Sequence, residues 1–261
     1  MRPQTGALGA LTALTMMLPT VAAAYEPGAP TVDLALVLLT DVSNSMDNHE
    51  FELVKEGYRA AFSDPQVVAA ILDNSNGVAV AYVEFSSQDN FMVVRGWDVL
   101  KGPDSARTFG NAVASAPRSS FGNTALAVSI RKAADMLSAD RFSAARRVID
   151  VASDHPNDYG RSAPVRDAAV AAGITINALP FIDDRPIGTF DGRLNYTSAR
   201  WGLESTAEFY RHDVIGGPGS FLVEVHDLQV FAEALKRKLL RELISLRPDA
   251  MSETVATASA E

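Results

Sequence analysis

A chain of 261 residues, 47% apolar and 21% charged, has ordinary globular composition. At this length one large domain can hide roughly 70% of its unfolded surface. The formal charge of −9 repels phosphate backbones and anionic lipid, so nucleic acid and membrane surfaces are excluded as favoured partners; the absence of cysteine leaves a hydrophobic core, not disulfides, to hold the fold.

Residues 1–24 read as a secretory signal peptide: Arg2 supplies a basic start, Leu8 to Leu18 is apolar and uncharged, and Ala22-Ala23-Ala24 offers a small-residue cleavage site before Tyr25. No segment is long and apolar enough for stable membrane insertion, and no cysteine follows the signal to carry a lipid anchor. The expected location is therefore the bacterial periplasm or the space beyond it. Residues 25–31 form a Pro/Gly linker, 32–246 the domain, and 247–261 a flexible tail.

Val32 to Thr40, "VDLALVLLT", is a nearly continuous apolar run of strand length, as suits a strand covered on both faces. Asp47 with Glu50 resembles a capping box, and behind it Phe51, Val54, Tyr58, Ala61 and Phe62 recur at helical spacing. Asp64-Pro65 opens a second helix. Gly77 to Phe85 and Phe91 to Trp97 predict neighbouring strands. Helices follow over Ser105 to Ala116 and Thr124 to Leu137, separated by the loop "RSSFGN". Arg147 to Ser153 is a strand, Pro164 to Ala172 a helix closed by Gly173, and Ile174 to Ile182 a strand. A long loop, Asp183 to Gly202, precedes a helix over Leu203 to His212, a strand over Phe221 to Val225 and a final helix over Leu228 to Leu246. This alternation predicts an α/β fold: a Rossmann-like, doubly wound, mostly parallel sheet with helices on both faces and one antiparallel edge strand.

In open α/β sheets, ligands collect at the carboxyl ends of strands near the switch in strand order. Three polar loops are candidates for that edge. Asp41, Ser43 and Ser45 stand in "TDVSNSM" after the first strand, Thr124 in "GNT", and Asp154 after "RVIDVAS". Helix capping by Ser45, Asp47 or Thr124, and a simple turn at Asp154, explain each residue singly. Capping does not call for the doubled serines together with a third acidic loop. Two carboxylates and three hydroxyls form an all-oxygen donor set, which hard cations such as Mg²⁺, Mn²⁺ or Ca²⁺ prefer, whereas zinc favours histidine and cysteine. The four histidines, His49, His155, His212 and His226, lack ligand spacing, and no Gly-x-Ser-x-Gly, Walker A or dinucleotide glycine pattern occurs.

"DVSNSM" after an apolar strand, a later "GNT" and a strand ending in "SD" together resemble a von Willebrand factor A (VWA) domain, over about Val32 to Leu246. "RRVIDVASD", "AAGITINALP" and "GPGSF" resemble an uncharacterised group of exported bacterial proteins of this type. The resemblance implies a metal-ion-dependent adhesion site (MIDAS) at Asp41, Ser43, Ser45, Thr124 and Asp154. It further implies a divalent cation, Mg²⁺ first with Mn²⁺ or Ca²⁺ as alternatives, and a non-enzymatic binding protein whose partner protein offers a carboxylate. A metal-dependent hydrolase of phosphatase type and a scaffold with an unused site are the competing readings. Two departures stand out: Asn44 replaces a frequent glycine, and His155 replaces the glycine that often follows the third-loop Asp.

Overall fold

The computed structural model describes residues 28–139, 141–154, 156, 159–182, 188–190, 193–195 and 206–244; the expected signal peptide, the C-terminal tail and His155 lie outside the described residues. Five strands form the sheet: β1 (Thr31–Asp41), β2 (Val78–Phe85), β3 (Phe91–Leu100), β4 (Ser143–Ser153) and β5 (Ile174–Pro180), in the order β3-β2-β1-β4-β5. All pairings are parallel except β2 with β3, so the antiparallel strand is the edge strand β3. The chain leaves β1 towards one side for β2 and β3, then returns to the other side for β4 and β5. The switch in order therefore falls at β1.

Side-chain alternation on β1 divides two cores. Leu34, Leu36 and Leu38 face α1 (Asn48–Ser63), α2 (Pro65–Leu72), α3 (Pro103–Ser115) and the last helix, α7 (Phe231–Ile244). Ala35, Val37 and Leu39 face α4 (Leu126–Ser138), α5 (Ala163–Ala171) and the segment that contains α6 (Thr206–Phe209). A strand covered on both faces cannot alternate apolar with polar, which is why β1 reads as a continuous apolar run. Each Leu or Val hidden there contributes about 1.5–3 kcal/mol. Gly57 lets α1 and α7 approach closely, since a Cβ there would lie 2.3 Å from the Phe231 ring.

Several expected elements take a different form. Helix α4 starts at Leu126, two residues after Thr124, and its N-cap is Ala125. Helix α6 runs into a π-helical turn over Tyr210–Val214, and a short 3₁₀ turn, Leu228–Val230, precedes α7. The expected strand over Phe221 to Val225 is a broken edge against β5. Its bridges at Leu222 and Val225 are isolated because Pro180 has no N–H to donate and Asn177 Oδ1 takes the Phe221 N–H at 3.0 Å. Within the expected long loop, β6 (Gly188–Phe190) and β7 (Arg193–Asn195) pair as a small antiparallel ribbon.

Candidate metal centre

Parallel pairing of β1 with β4 sets Thr40 opposite Ala152, so the two strands end together and bring Asp41 beside Ser153. Asp47, not either serine, caps α1: its side chain accepts from the Glu50 N–H at 2.8 Å, and the Glu50 side chain accepts from the Asp47 N–H at 2.8 Å. Ser43 and Ser45 are therefore spared that duty. The N-cap of α4 is Ala125, which offers no side-chain bond.

These hydroxyls instead form one connected path from Asp154 to Ser43, whose backbone N–H binds Asp41. Ser45 Oγ donates to Asp154 Oδ1 at 2.9 Å, Ser43 Oγ and Ser45 Oγ are 3.0 Å apart, and Thr124 Oγ1 donates to Ser43 Oγ at 3.0 Å. A hydroxyl has a single proton. With Ser45's proton on Asp154, Ser43 must donate to Ser45. At the inner end, Asp41 Oδ1 accepts the Ser43 N–H at 2.8 Å and Oδ2 accepts Ser153 Oγ at 2.6 Å. All five residues expected from the sequence thus lie in one hydrogen-bonded cluster. Asp41, Ser43 and Thr124 are buried, Asp154 is half-buried, and Ser45 is exposed, so the cluster opens to solvent on one side.

Burial and mutual repulsion set the electrostatics of this cluster. Burial, and then the charge of Asp154, push the Asp41 carboxyl from 3.8 up to about 7, against the opposing pull of the Ser153 and Ser43 hydrogen bonds. Arg118 is a nearby cation whose charge interacts with both Asp41 and Asp154, while its Nη2 donates to the carbonyls of Val42 at 2.9 Å and Ser43 at 2.7 Å. Two carboxylates gathered with neutral hydroxyls are a donor set that fits a hard divalent cation. Among the described residues, no three His, Cys, Asp or Glu side chains gather as a metal cluster; the donor set here is two carboxylates with hydroxyls.

Sequence reasoning missed the residues that hold this cluster in shape. Ser153 fixes Asp41, and the buried Tyr210 hydroxyl, held above the usual phenol range by burial, bonds Ser153 from the π-helical turn. Such turns are often found at functional sites. Beneath the loops, Glu84 Oε2 accepts the Ser119 N–H at 2.8 Å and Oε1 pairs with the buried Lys55 at 3.2 Å, which anchors the segment carrying Arg118. A lone carboxylate inside the apolar run "GVAVAYVEF" was the visible sign of Glu84. Arg118 had no comparable mark, since an arginine in a polar loop is ordinary. Asn44, the departure from glycine, exchanges two bonds with Gly122: its N–H donates to the Gly122 carbonyl at 2.8 Å, and its Oδ1 accepts the Gly122 N–H at 3.1 Å.

A mixed five-stranded sheet with helices on both faces, and a "DVSNS" loop at its switch point, define a von Willebrand A-like domain. The solved structures agree. Over 84% of this chain and 30% of the other, it superposes on the pilus adhesin SpaC of Lactobacillus rhamnosus GG with a TM-score of 0.54 at 13% identity. A von Willebrand factor type A protein from Catenulispora acidiphila gives 0.52 at 14% identity, over 81% of this chain and 43% of that one. Proximal thread matrix protein 1 from the mussel byssus, solved with zinc in its MIDAS motif, gives 0.50 at 14% identity, over 80% and 46%. The chain spans under half the length of each of these three proteins, and at such identities the likeness shows the fold. No curated protein matches it in sequence. The chain belongs to the family described as "Protein of unknown function (DUF1194)", whose model matches residues 31–247.

Proposed function

We propose that this chain is an exported binding protein that holds a divalent cation at Asp41, Ser43, Ser45, Thr124 and Asp154 and uses it to capture an acidic residue of a partner protein. The observation that carries the reading is the gathering of both carboxylates, Asp41 and Asp154, with the hydroxyls of Ser43, Ser45 and Thr124 in one cluster that opens to solvent. Neutral hydroxyl ligands leave a bound cation with net positive charge, so a carboxylate from outside is its natural further ligand. When bound, the cation would supply Lewis acidity and charge; the chain's own groups orient it through Ser153 and the backbone of Ser43.

Mg²⁺ is the first choice for an all-oxygen donor set, with Mn²⁺ and Ca²⁺ next. The mussel protein's zinc-occupied motif adds Zn²⁺ to the cations worth testing, despite zinc's ordinary preference for nitrogen and sulfur. Among the described residues no helix is long and apolar enough to cross a membrane, which is compatible with the proposed export to the periplasm or beyond.

Isothermal calorimetry on the full chain with each cation tests this reading. Heat of binding from the parent that disappears in Asp41→Ala and Asp154→Ala supports it. No heat from any protein would establish a scaffold with an unused site. Metal-dependent turnover of generic phosphate or ester substrates would establish the hydrolase.

A further inference from the structure

The surroundings of the cation site define what else the partner must carry, and this step rests on the reading just given. Among the described residues, the only aromatics that stand out as exposed large apolar side chains are Phe121, 58% exposed, and Tyr159, 42% exposed. Both lie on the loops that carry the proposed ligands: Phe121 shortly before Thr124, Tyr159 shortly after Asp154.

Neither is a loose surface ring. The Phe121 carbonyl accepts from Ser86 Oγ at 3.0 Å and from Asn90 Nδ2 at 3.2 Å. Its neighbour Gly122 is clamped in both directions to Asn44, which stands between Ser43 and Ser45. One side of the Phe121 ring rests on the Arg118 guanidinium, 4.3 Å from the ring centre. Across the rim, Asn123 Nδ2 donates to the Tyr159 hydroxyl at 3.2 Å, and the Asn123 N–H donates to Ser87 Oγ at 3.1 Å. Gly122, at φ +137°, allows this close approach, since a Cβ there would lie 2.2 Å from Ser87 Oγ.

Holding an exposed aromatic rigid does little for the fold, because the ring itself stays in water. It does help binding, because a fixed ring loses little entropy when a partner covers it. Tyr, Phe, Asn, Ser and Gly at the rim are also the residue types of adaptable recognition surfaces. The rim residues that hydrogen-bond to one another, Asn44, Ser87, Gly122, Asn123 and Tyr159, are all uncharged, in a chain whose formal charge is −9. An incoming carboxylate therefore meets no like charge among them.

We infer that the partner presents its acidic residue with an aliphatic or aromatic side chain one or two positions away, and that this side chain seats on Phe121 with Tyr159 as the second wall. One extended residue spans about 3.3–3.6 Å, and the bond from Asn44 to Gly122 holds the residue next to Phe121 against the loop of Ser43 and Ser45, which is why the neighbour is set at one or two positions.

Random peptides displayed on phage, panned on the full chain in Mg²⁺ and eluted with EDTA, test this directly. Parallel pannings use Phe121→Ser and Asp41→Ala. The parent pool should be enriched in Asp or Glu with an apolar residue within two positions. The Phe121→Ser pool should keep the acid and lose the apolar preference, and parent-selected peptides should bind this variant about tenfold more weakly. Its Mg²⁺ binding by calorimetry should match the parent's, which separates a lost contact from a damaged site. Acidic peptides without apolar neighbours, or equal binding to Phe121→Ser, would overturn the inference while sparing the cation reading. A parent pool with no acidic peptides released by EDTA would overturn both.

Discussion

Strand β4 carries one carboxylate in its interior, Asp150, and delivers another just past its end, Asp154; the two are compensated in opposite ways. Asp150 pairs with Lys238 of α7, and the same lysine bonds Glu242 at 2.7 Å, all three being essentially inaccessible to solvent. Burial alone would push the Lys238 ammonium down, but Asp150 and Glu242 outweigh it and hold its pKa above the ordinary value. Around Asp154 and Asp41, by contrast, the hydroxyls of Ser45, Ser43 and Ser153 gather, and the Arg118 charge acts on both while its guanidinium bonds backbone. The inner cluster contains its own cation and is closed. The outer one is open to solvent at Ser45, and the proposed cation would enter there. Similar carboxylate pairs thus differ in their surroundings: a buried lysine sits between one pair, and hydroxyls open to solvent line the other.

The largest way to break this comparison is Lys238→Met, which strands two buried carboxylates without a cation. It should cost about 3–5 kcal/mol in urea denaturation, and Mg²⁺ should not restore the loss. At the outer cluster the cation should do what Lys238 does inside. Mg²⁺ at about 100 times its Kd should stabilise the parent by roughly 2.7 kcal/mol and Asp41→Asn by nothing.

The pH dependence of the metal-free protein sharpens the same contrast. Folded Asp41 keeps its proton up to about 7, whereas the unfolded carboxyl releases it near 3.8, so stability is present below that lower value and is lost as pH rises through about 7. Glu242, pushed from 4.5 up to about 7 by burial and then by Asp150, adds a slope of the same sign. Denaturation across this window should therefore show falling stability, and Asp41→Asn or saturating Mg²⁺ should each remove roughly half of the slope. The smallest effect is expected from Arg118→Lys, which cannot reproduce the guanidinium fork on the Val42 and Ser43 carbonyls. A loss of about 1 kcal/mol in stability, with a cation affinity weakened by less than tenfold, is the expected outcome of denaturation and calorimetry.

The contrast also marks how much could be read before folding. The apolar run of β1, the Asp47–Glu50 capping box and the alternation of strands with helices were legible because each is a local pattern with a local cause. Thr124 was placed at the start of a helix, yet that helix begins two residues later; its side chain is used by Ser43, far away in sequence. The edge beside β5 was misread as a regular strand because Pro180 and Asn177, on the neighbouring strand, break the ladder. Asp150 bore the same mark as Glu84, a lone carboxylate inside an apolar run, but Lys238 and Glu242 gave no warning. A lysine and a glutamate at helical spacing look like a solvated face, and only the packing of α7 on the sheet buries them.

By itself, then, the sequence determined the class of fold, because strand length and apolar periodicity are written within a few neighbouring positions, and it offered the five oxygen-bearing residues as candidates. Only the tertiary structure decided that Asp41 and Asp154 share a cluster, that Ser153, Arg118 and Tyr210 hold it, and that Phe121 and Tyr159 stand at its rim. Those relations depend on β1 and β4 lying side by side in register, and on α7 bringing Lys238 to one carboxylate pair and to no other.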